Sequence, residues 1–463
     1  MTNSRKPISF AICPLCGESS DFTLRDFHRT SEAELIDLLA RKHPGWRGSM
    51  GACPSCVDRA RSELARGDEV LVRNVPLLRV GGYLVPPTPL RMGADRLVTG
   101  KGVTIGFVDS GFSLHPDLCL PTPRIRGYHD VEDRSASVAD LAAPDMLSWH
   151  GTMTSVGAAG SGFLSHGVYR GIASGAEVVL VRVSNEKGRQ PDRNICAGLD
   201  WLLEQRERLA LRIVNISLKG DAPPAGGGGV VERRIRALVE AGVVVIAASG
   251  NEFSPMLHPP ASCPEAITVG GLDDGRVGSG AAELYHSNWD GRPGALQKPE
   301  VVAPALFVAS PILPGTEILR QSRWIASGLL AEARDRRRIV RRHGPLLGIP
   351  PETLAAGGRA LVSFLEEKAR ANKIIAPYYH HADGTSVAAP IVASVAAQML
   401  EVAPFLSPAE VRELLIASAR PVEGGAPLRQ GWGVVSAGRA VALARQVALA
   451  AGWGADPRGR KNG

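Results

Sequence analysis

The strongest signal along the chain is a set of short apolar runs without polar alternation: 103–108 (VTIGFV), 178–183 (VVLVRV), 213–218 (IVNISL), 243–249 (VVVIAAS) and 266–271 (AITVGG). A strand covered on one face alternates apolar and polar positions, so uninterrupted runs predict strands buried on both faces. Helical patterns separate them, which predicts an α/β domain with a mainly parallel sheet, beginning near residue 95 and covering 96–450. Residues 1–70 read as a separate small module, in which SEAELIDLLARK predicts a helix opened by a capping box from Ser31 to Glu34. Gly and Pro punctuation over 71–95 predicts a short hairpin and an extended linker. Residues 451–463 are expected to form a flexible tail.

Composition narrows the class. With 463 residues, 44% of them hydrophobic, and a formal charge of +7, the chain is a globular protein with ample core. No apolar run approaches the ~18 residues of a membrane span, so no membrane association is expected. The opening MTNSRKPISFAICPLC lacks the apolar segment and cleavage site of a secretory signal. Seven cysteines, four of them in two close pairs, suit a reducing compartment better than a disulfide framework, so a cytoplasmic location is expected. The charge is mild for this length and does not by itself imply a nucleic-acid partner.

Parallel sheets bind ligands beyond the carboxyl ends of their strands. Asp109 ends the first run, Asn215 and Ser217 interrupt the third, and Asn251 follows the fourth. A carboxylate at a buried strand end requires a donor, and His150 in WHGTMTSVGAAG is a candidate. In DGTSVAAPIVASVAAQML, Ser386 and Pro390 both favour a helix start. That places Ser386 in the first turn, beside unpaired N–H groups and the positive end of the helix dipole. On this stretch alone, the favoured reading of Ser386 is an N-cap serine.

Together, VDSGF at Asp109, HGTMTS at His150, SGNE at Asn251 and GTSVAAP at Ser386 resemble the subtilisin-like serine proteases, the subtilases, in the chain order Asp, His, Ser. The resemblance spans most of 97–445. It implies a subtilisin-like three-layer α/β fold and a serine endopeptidase acting on protein or peptide substrates. By resemblance, Ser386 is the nucleophile, His150 its base, Asp109 the group that orients His150, and Asn251 a donor to the oxyanion. It also implies that Ser217, Leu218, Lys219 and Gly220 pair with the substrate backbone as an added strand, and that Thr385 and Pro390 are framework.

Three departures from the family pattern stand out. Met153 replaces a second histidine usual three residues after the first, a change expected to affect packing more than chemistry. Lys219 replaces a small residue in the cleft motif; it either shapes a subsite that attracts acidic side chains or points into solvent. Ser386 also arrives late, which marks 310–378 as an insertion. Ile325, Leu329, Ala333 and Val340 predict one helix of this insertion and Leu354, Leu361 and Leu365 a second, together a helical hairpin over the cleft side. Arg334, Arg338, Arg341 and Arg342 fall close together there, as a solvated face, a lid or partner-docking element, or, less favoured without interleaved aromatics, a nucleic-acid contact.

In the N-terminal module, CPLC and CPSC place Cys13, Cys16, Cys53 and Cys56 in two turns that predict a structural Zn2+ site. The intervening stretch 17–52 exceeds the about 15–20 residues of common spacings, and the predicted helix absorbs the difference. Redox pairs, or a site that includes His28 or His43, are the alternatives. Cys119, Cys196 and Cys263 read as small core or strand-end residues, and no acidic loop is specific enough to assign calcium. The N-terminal module is expected to stay attached as a regulatory or recognition domain. The competing functional readings are a dormant binding scaffold on the same fold and a protease gated by nucleic acid or a partner protein.

Overall fold

The computed structural model describes residues 11–20, 23, 33–53, 56–57, 60, 85–220, 229–275, 282–294 and 296–453. Ser31 of the expected capping box, His28, the hairpin expected before residue 85 and the tail from 454 lie outside the described residues.

Each of the five apolar runs supplies a strand. The strands are β1 (Ala11–Ile12) and β2 (Ser19–Ser20) in the N-terminal module, then β3 (Thr104–Asp109), β4 (Ile125–Asp130), β5 (Glu177–Arg182), β6 (Leu211–Ile216), β7 (Val244–Ala248), β8 (Ile267–Asp273), β9 (Glu283–Leu284) and β10 (Val301–Pro304). The main sheet runs in the order β10-β8-β7-β6-β3-β5-β4, parallel throughout, with β9 added antiparallel to β8. Side chains leave it to opposite faces with period two. Ile105, Phe107, Val178, Leu180, Val244 and Ile246 enter one buried cluster, and Val108, Val179, Val181, Val214, Val245 and Ala247 enter the other. Helices Asp192–Gln205 and Val230–Glu240 cover the second face, Ser148–Ala159 and Thr385–Val402 cover the first, and Ala437–Ala450 packs behind Thr385–Val402. The result is the expected three-layer α/β fold.

After β3 the chain builds β4 and β5 on one side of it, then crosses to add β6, β7, β8 and β10 on the other. The crevice at such a reversal is where this architecture accepts ligands. Helix Thr385–Val402 is apolar and long enough to span a membrane by composition alone, but 83% of it is buried here as the central core helix. Its alanines explain how: Ala388, Ala389, Ala393, Ala396 and Ala397 are buried, and their small size allows close packing against the sheet and two neighbouring helices.

The insertion differs from the expected hairpin. Four helices replace two: Glu317–Leu330, Ala333–Leu347, Pro351–Ala356 and Gly358–Ala371. The single face expected from Ile325 to Val340 breaks at Ala331 and Glu332, so Ile325 and Val340 meet across two packed helices while Ala333 is exposed at the start of the second. Leu354 is 38% exposed on the short third helix, and Leu361 and Leu365 belong to the fourth. These helices share a small core of their own. They are framed by β11 (Val308–Pro311), β12 (Ile374–Ala376) and β13 (Tyr379–Ala382), an antiparallel sheet in the order β11-β13-β12. The Tyr379 hydroxyl donates to Asp117 Oδ2 at 2.6 Å, which ties this sheet to the main domain.

Candidate active site

Asp109 is the last residue of β3 and fully buried. Three donors satisfy its carboxylate: Ser110 N at 2.7 Å and His150 Nδ1 at 2.6 Å on Oδ1, and Thr154 Oγ1 at 3.1 Å on Oδ2. His150 lies in the first turn of helix Ser148–Ala159, with a side chain 32% exposed. Gly151 lets that helix approach so closely: a Cβ there would sit 2.3 Å from the Gly111 carbonyl. Burial opposes protonation of His150, but the Asp109 carboxylate outweighs it and raises the imidazole pKa above its ordinary value. Met153 is buried in the core, consistent with a packing role.

Ser386 is the second residue of helix Thr385–Val402, which packs against the His150 helix. Its hydroxyl donates to the Ser217 carbonyl at 3.2 Å, and no hydrogen bond joins it to His150 among the described residues. Such bonds are often long in ligand-free sites and tighten with substrate. Pro390 lies within the helix, and its missing N–H leaves the Ser386 carbonyl without an i+4 donor. Gly384, at φ +128°, permits the turn into the helix beside the Asn251 side chain. Asn251 Oδ1 accepts from Thr385 N at 2.8 Å and Thr385 Oγ1 at 3.1 Å. With its oxygen engaged in this way, the amide can direct Nδ2, its donor end, elsewhere.

Ser217, Leu218 and Lys219 leave β6 and, with Ser249, Asn251 and Ser386, line a pocket of about 170 Å³. Gly220 is turned away from that wall, so close to Asp192 that a side chain would collide. Asn215 is buried and donates to Ser217 Oγ at 3.0 Å, a structural bond. Lys219 neither projects freely nor stands alone in the pocket: its ammonium pairs with Glu252 Oε1. Asn288 Nδ2 donates to Glu252 Oε2 at 2.7 Å. Burial opposes ionisation of Glu252, but Lys219 and Asn288 outweigh it and lower its pKa. The pocket mouth therefore carries a compensated pair.

Sequence reasoning missed this partner of Lys219, along with Thr154 and the clamp on the segment before Ser386. Thr154 sits four residues after His150, one helical turn on, so its reach to Asp109 was available from spacing. Asp383 accepts from Phe307 N at 2.8 Å and Lys373 Nζ at 2.7 Å. Burial opposes the Asp383 charge, yet these donors and His381 hold its pKa well below the ordinary range. His380, in β13, accepts at Nε2 from Trp149 Nε1 at 3.2 Å, next to His150. Burial chiefly, then the charges of His381 and Lys373, pushes the His380 pKa down to about 4, which suits a neutral acceptor.

In the N-terminal module, one sulfur from each of Cys13, Cys16, Cys53 and Cys56 lies within 4.8 Å of the other three, with Cys16 and Cys53 Sγ 3.9 Å apart. Tetrahedral zinc with Zn–S near 2.3 Å separates sulfurs by about 3.8 Å, so the donor set fits. Cys53 N donates to Cys13 Sγ at 3.3 Å, a bond that a thiolate ligand can accept. His43 is not part of the cluster. Cys196 and Cys263 are buried and Cys119 is half-buried.

The fold and this crevice define the serine-peptidase architecture built on a parallel sheet. Residues 100–433 match the subtilase family (Peptidase_S8), and the chain belongs to it. It is 28% identical over 327 residues to serine protease AprX of Bacillus subtilis, covering 69% of this chain and 61% of AprX. It is 31% identical over 179 residues to subtilisin BL of Lederbergia lenta, covering 39% of this chain and 59% of that protein. The matches thus span about three fifths of these relatives. Fervidolysin from Fervidobacterium pennivorans, a keratinolytic enzyme related to subtilisin, superposes with a TM-score of 0.52 at 19% identity, covering 76% of this chain and 44% of that one. A Pseudoalteromonas arctica protease gives 0.50 at 20% identity, covering 79% and 95%. At these identities the two structures attest the fold alone.

Proposed function

We infer that the protein is a serine endopeptidase acting on protein substrates inside the cell. One observation carries the reading: a buried, fully satisfied Asp109 is hydrogen-bonded to His150, whose helix packs against the helix that holds Ser386 in its first turn, beside an oriented Asn251. In this mechanism Ser386 Oγ attacks the scissile carbonyl while His150 Nε2 takes its proton and later delivers it to the leaving amine. Asp109 holds the Nδ1–H tautomer and stabilises the imidazolium. Ser386 N, at an unpaired helix start, and Asn251 Nδ2 receive the oxyanion. Ser217, Leu218 and Lys219 line the substrate, and Gly220 ends that segment.

The four-cysteine cluster is a structural Zn2+ site in this reading, holding the N-terminal module as thiolate ligands; a cluster of thiols also suits a reducing compartment. The insertion is the natural regulatory element, since its Lys373 pairs with Asp383 just before Ser386 and it runs into β13, whose His380 accepts from Trp149 beside His150. The deciding experiment is labelling with a fluorescent fluorophosphonate. Wild type should label and Ser386→Ala should not; a folded wild type that stays unlabelled, while a subtilisin control reacts, would indicate a dormant scaffold.

A further inference from the structure

The second insertion helix, Ala333–Leu347, carries arginines at 334, 337, 338, 341 and 342. This i, i+3, i+4, i+7, i+8 spacing puts all five on one stripe, and all five are exposed. With Ala333 they border an open space of about 800 Å³ among their own side chains on this one helix face. Val340, Gly344 and Leu347 are buried on the helix's inner side, and the His343 ring stacks on Trp324 with centroids 3.5 Å apart. The stripe therefore sits on a fixed support. Arg336 shows what a structural arginine in this run looks like: it points inward and donates to the Gly328 and Ala331 carbonyls at 2.7 and 2.6 Å. The other five make no ion pair among the described residues, although like charges at this spacing repel and weaken a helix.

Charge is concentrated in the same place. Residues 310–378 contain twelve Lys and Arg against six Asp and Glu, so the insertion accounts for nearly all of the +7 on the chain. The rest of the chain is close to neutral in sum. We propose that the arginine stripe is a docking surface for a protein segment rich in aspartate and glutamate. Guanidinium forks match carboxylates in a bidentate geometry. At 1.5 Å per residue the stripe is about 12 Å long, enough for two helical turns or four residues of extended chain. A single-stranded nucleic acid would need stacking aromatics, which the stripe lacks, and a duplex would need phosphate contacts beyond it. The surface requires no catalytic activity, so it stands apart from the peptidase reading.

The test is a fluorescence-anisotropy titration of the full chain carrying Ser386→Ala, with a labelled poly-glutamate peptide of about twelve residues and a duplex DNA of about twelve base pairs, at low and high salt. The peptide is expected to bind more tightly than the duplex and to weaken as salt rises. Arg338→Glu with Arg341→Glu should raise its Kd at least ~10-fold, and the paired Lys variant only a few-fold, with thermal unfolding unchanged in both. Peptide binding indifferent to charge reversal, or none at low salt, would overturn the proposal. Tighter arginine-dependent binding of the duplex would overturn it in favour of a phosphate-reading surface; this comparison uses the unreversed stripe, so it does not depend on the variants folding.

Discussion

Replacing Lys219 tests whether the pocket mouth is electrically compensated. The Lys219–Glu252 pair is about half exposed on both sides, 52% and 47%, so its loss should cost at most ~1 kcal/mol of stability. Its effect on selectivity should be larger. Lys219→Met leaves the Glu252 carboxylate held by Asn288 with no counter-charge, and the pocket gains a net negative charge. At about 6 Å from a cationic substrate side chain, that charge contributes ~0.7 kcal/mol in bulk water and ~3 kcal/mol at the effective permittivity of a protein surface. Half-exposed groups fall toward the lower end, so kcat/KM for a lysine over a norleucine in the pocket should rise ~3- to 10-fold. Glu252→Gln should shift preference toward acidic side chains by a similar factor, and the double variant should return to the wild-type profile. A peptide library read by mass spectrometry, at low and high salt, checks all three. Unchanged profiles, or single variants that shift in the same direction, would refute the reasoning.

Asn251→Ala should lower kcat about 100- to 1000-fold with little change in KM, a magnitude known from subtilisin, a member of this family, rather than worked out from this structure. Thr385→Val removes one of two donors that orient Asn251 and should cost about tenfold in kcat, read by the same kinetics. Because Asp109 raises the His150 pKa, the acid limb of kcat/KM should lie above pH 6.5, and activity should fall as pH drops through it. The same raised pKa means that the His150–Asp109 contribution to stability is fully present below pH 6.5 and is lost as pH rises through the folded value, which unfolding in Asp109→Asn and wild type across pH would reveal. Metal analysis should find one zinc per chain, reduced by Cys16→Ser, and a chelator should expose buried Trp46, seen as a fluorescence change absent in Trp46→Phe.

The sheet was legible because β3, β5, β6, β7 and β8 are covered on both faces and their apolar runs are continuous. β4 was not, since Ile125–Asp130 is only half-buried at the edge and reads IRGYHD. Asp109, His150, Asn251 and Ser386 stood out through motif order; the structure hydrogen-bonds Asp109 to His150 and sets Asn251 and Ser386 on the wall of one pocket. What escaped were contacts distant in sequence. Glu252 lies far from Lys219, and Asp383 gains its charge partner only because Lys373 returns from the insertion. The insertion's two expected helices became four because helical periodicity shows a buried face but not where Ala331 and Glu332 interrupt it.

Val308 pairs with Ala382, and the ladder continues outward to Pro311 opposite Tyr379. The excursion of 312–378 therefore leaves and rejoins the domain at adjacent points on paired strands, like a lateral branch whose two roots touch. Closing a loop between fixed neighbouring ends depends only logarithmically on its length. The peptidase scaffold is thus nearly indifferent to how much chain is hung there. This site behaves as a port, at which new surfaces can be attached, enlarged or exchanged a few residues upstream of Ser386 without changing the distance the chain must span to reach it.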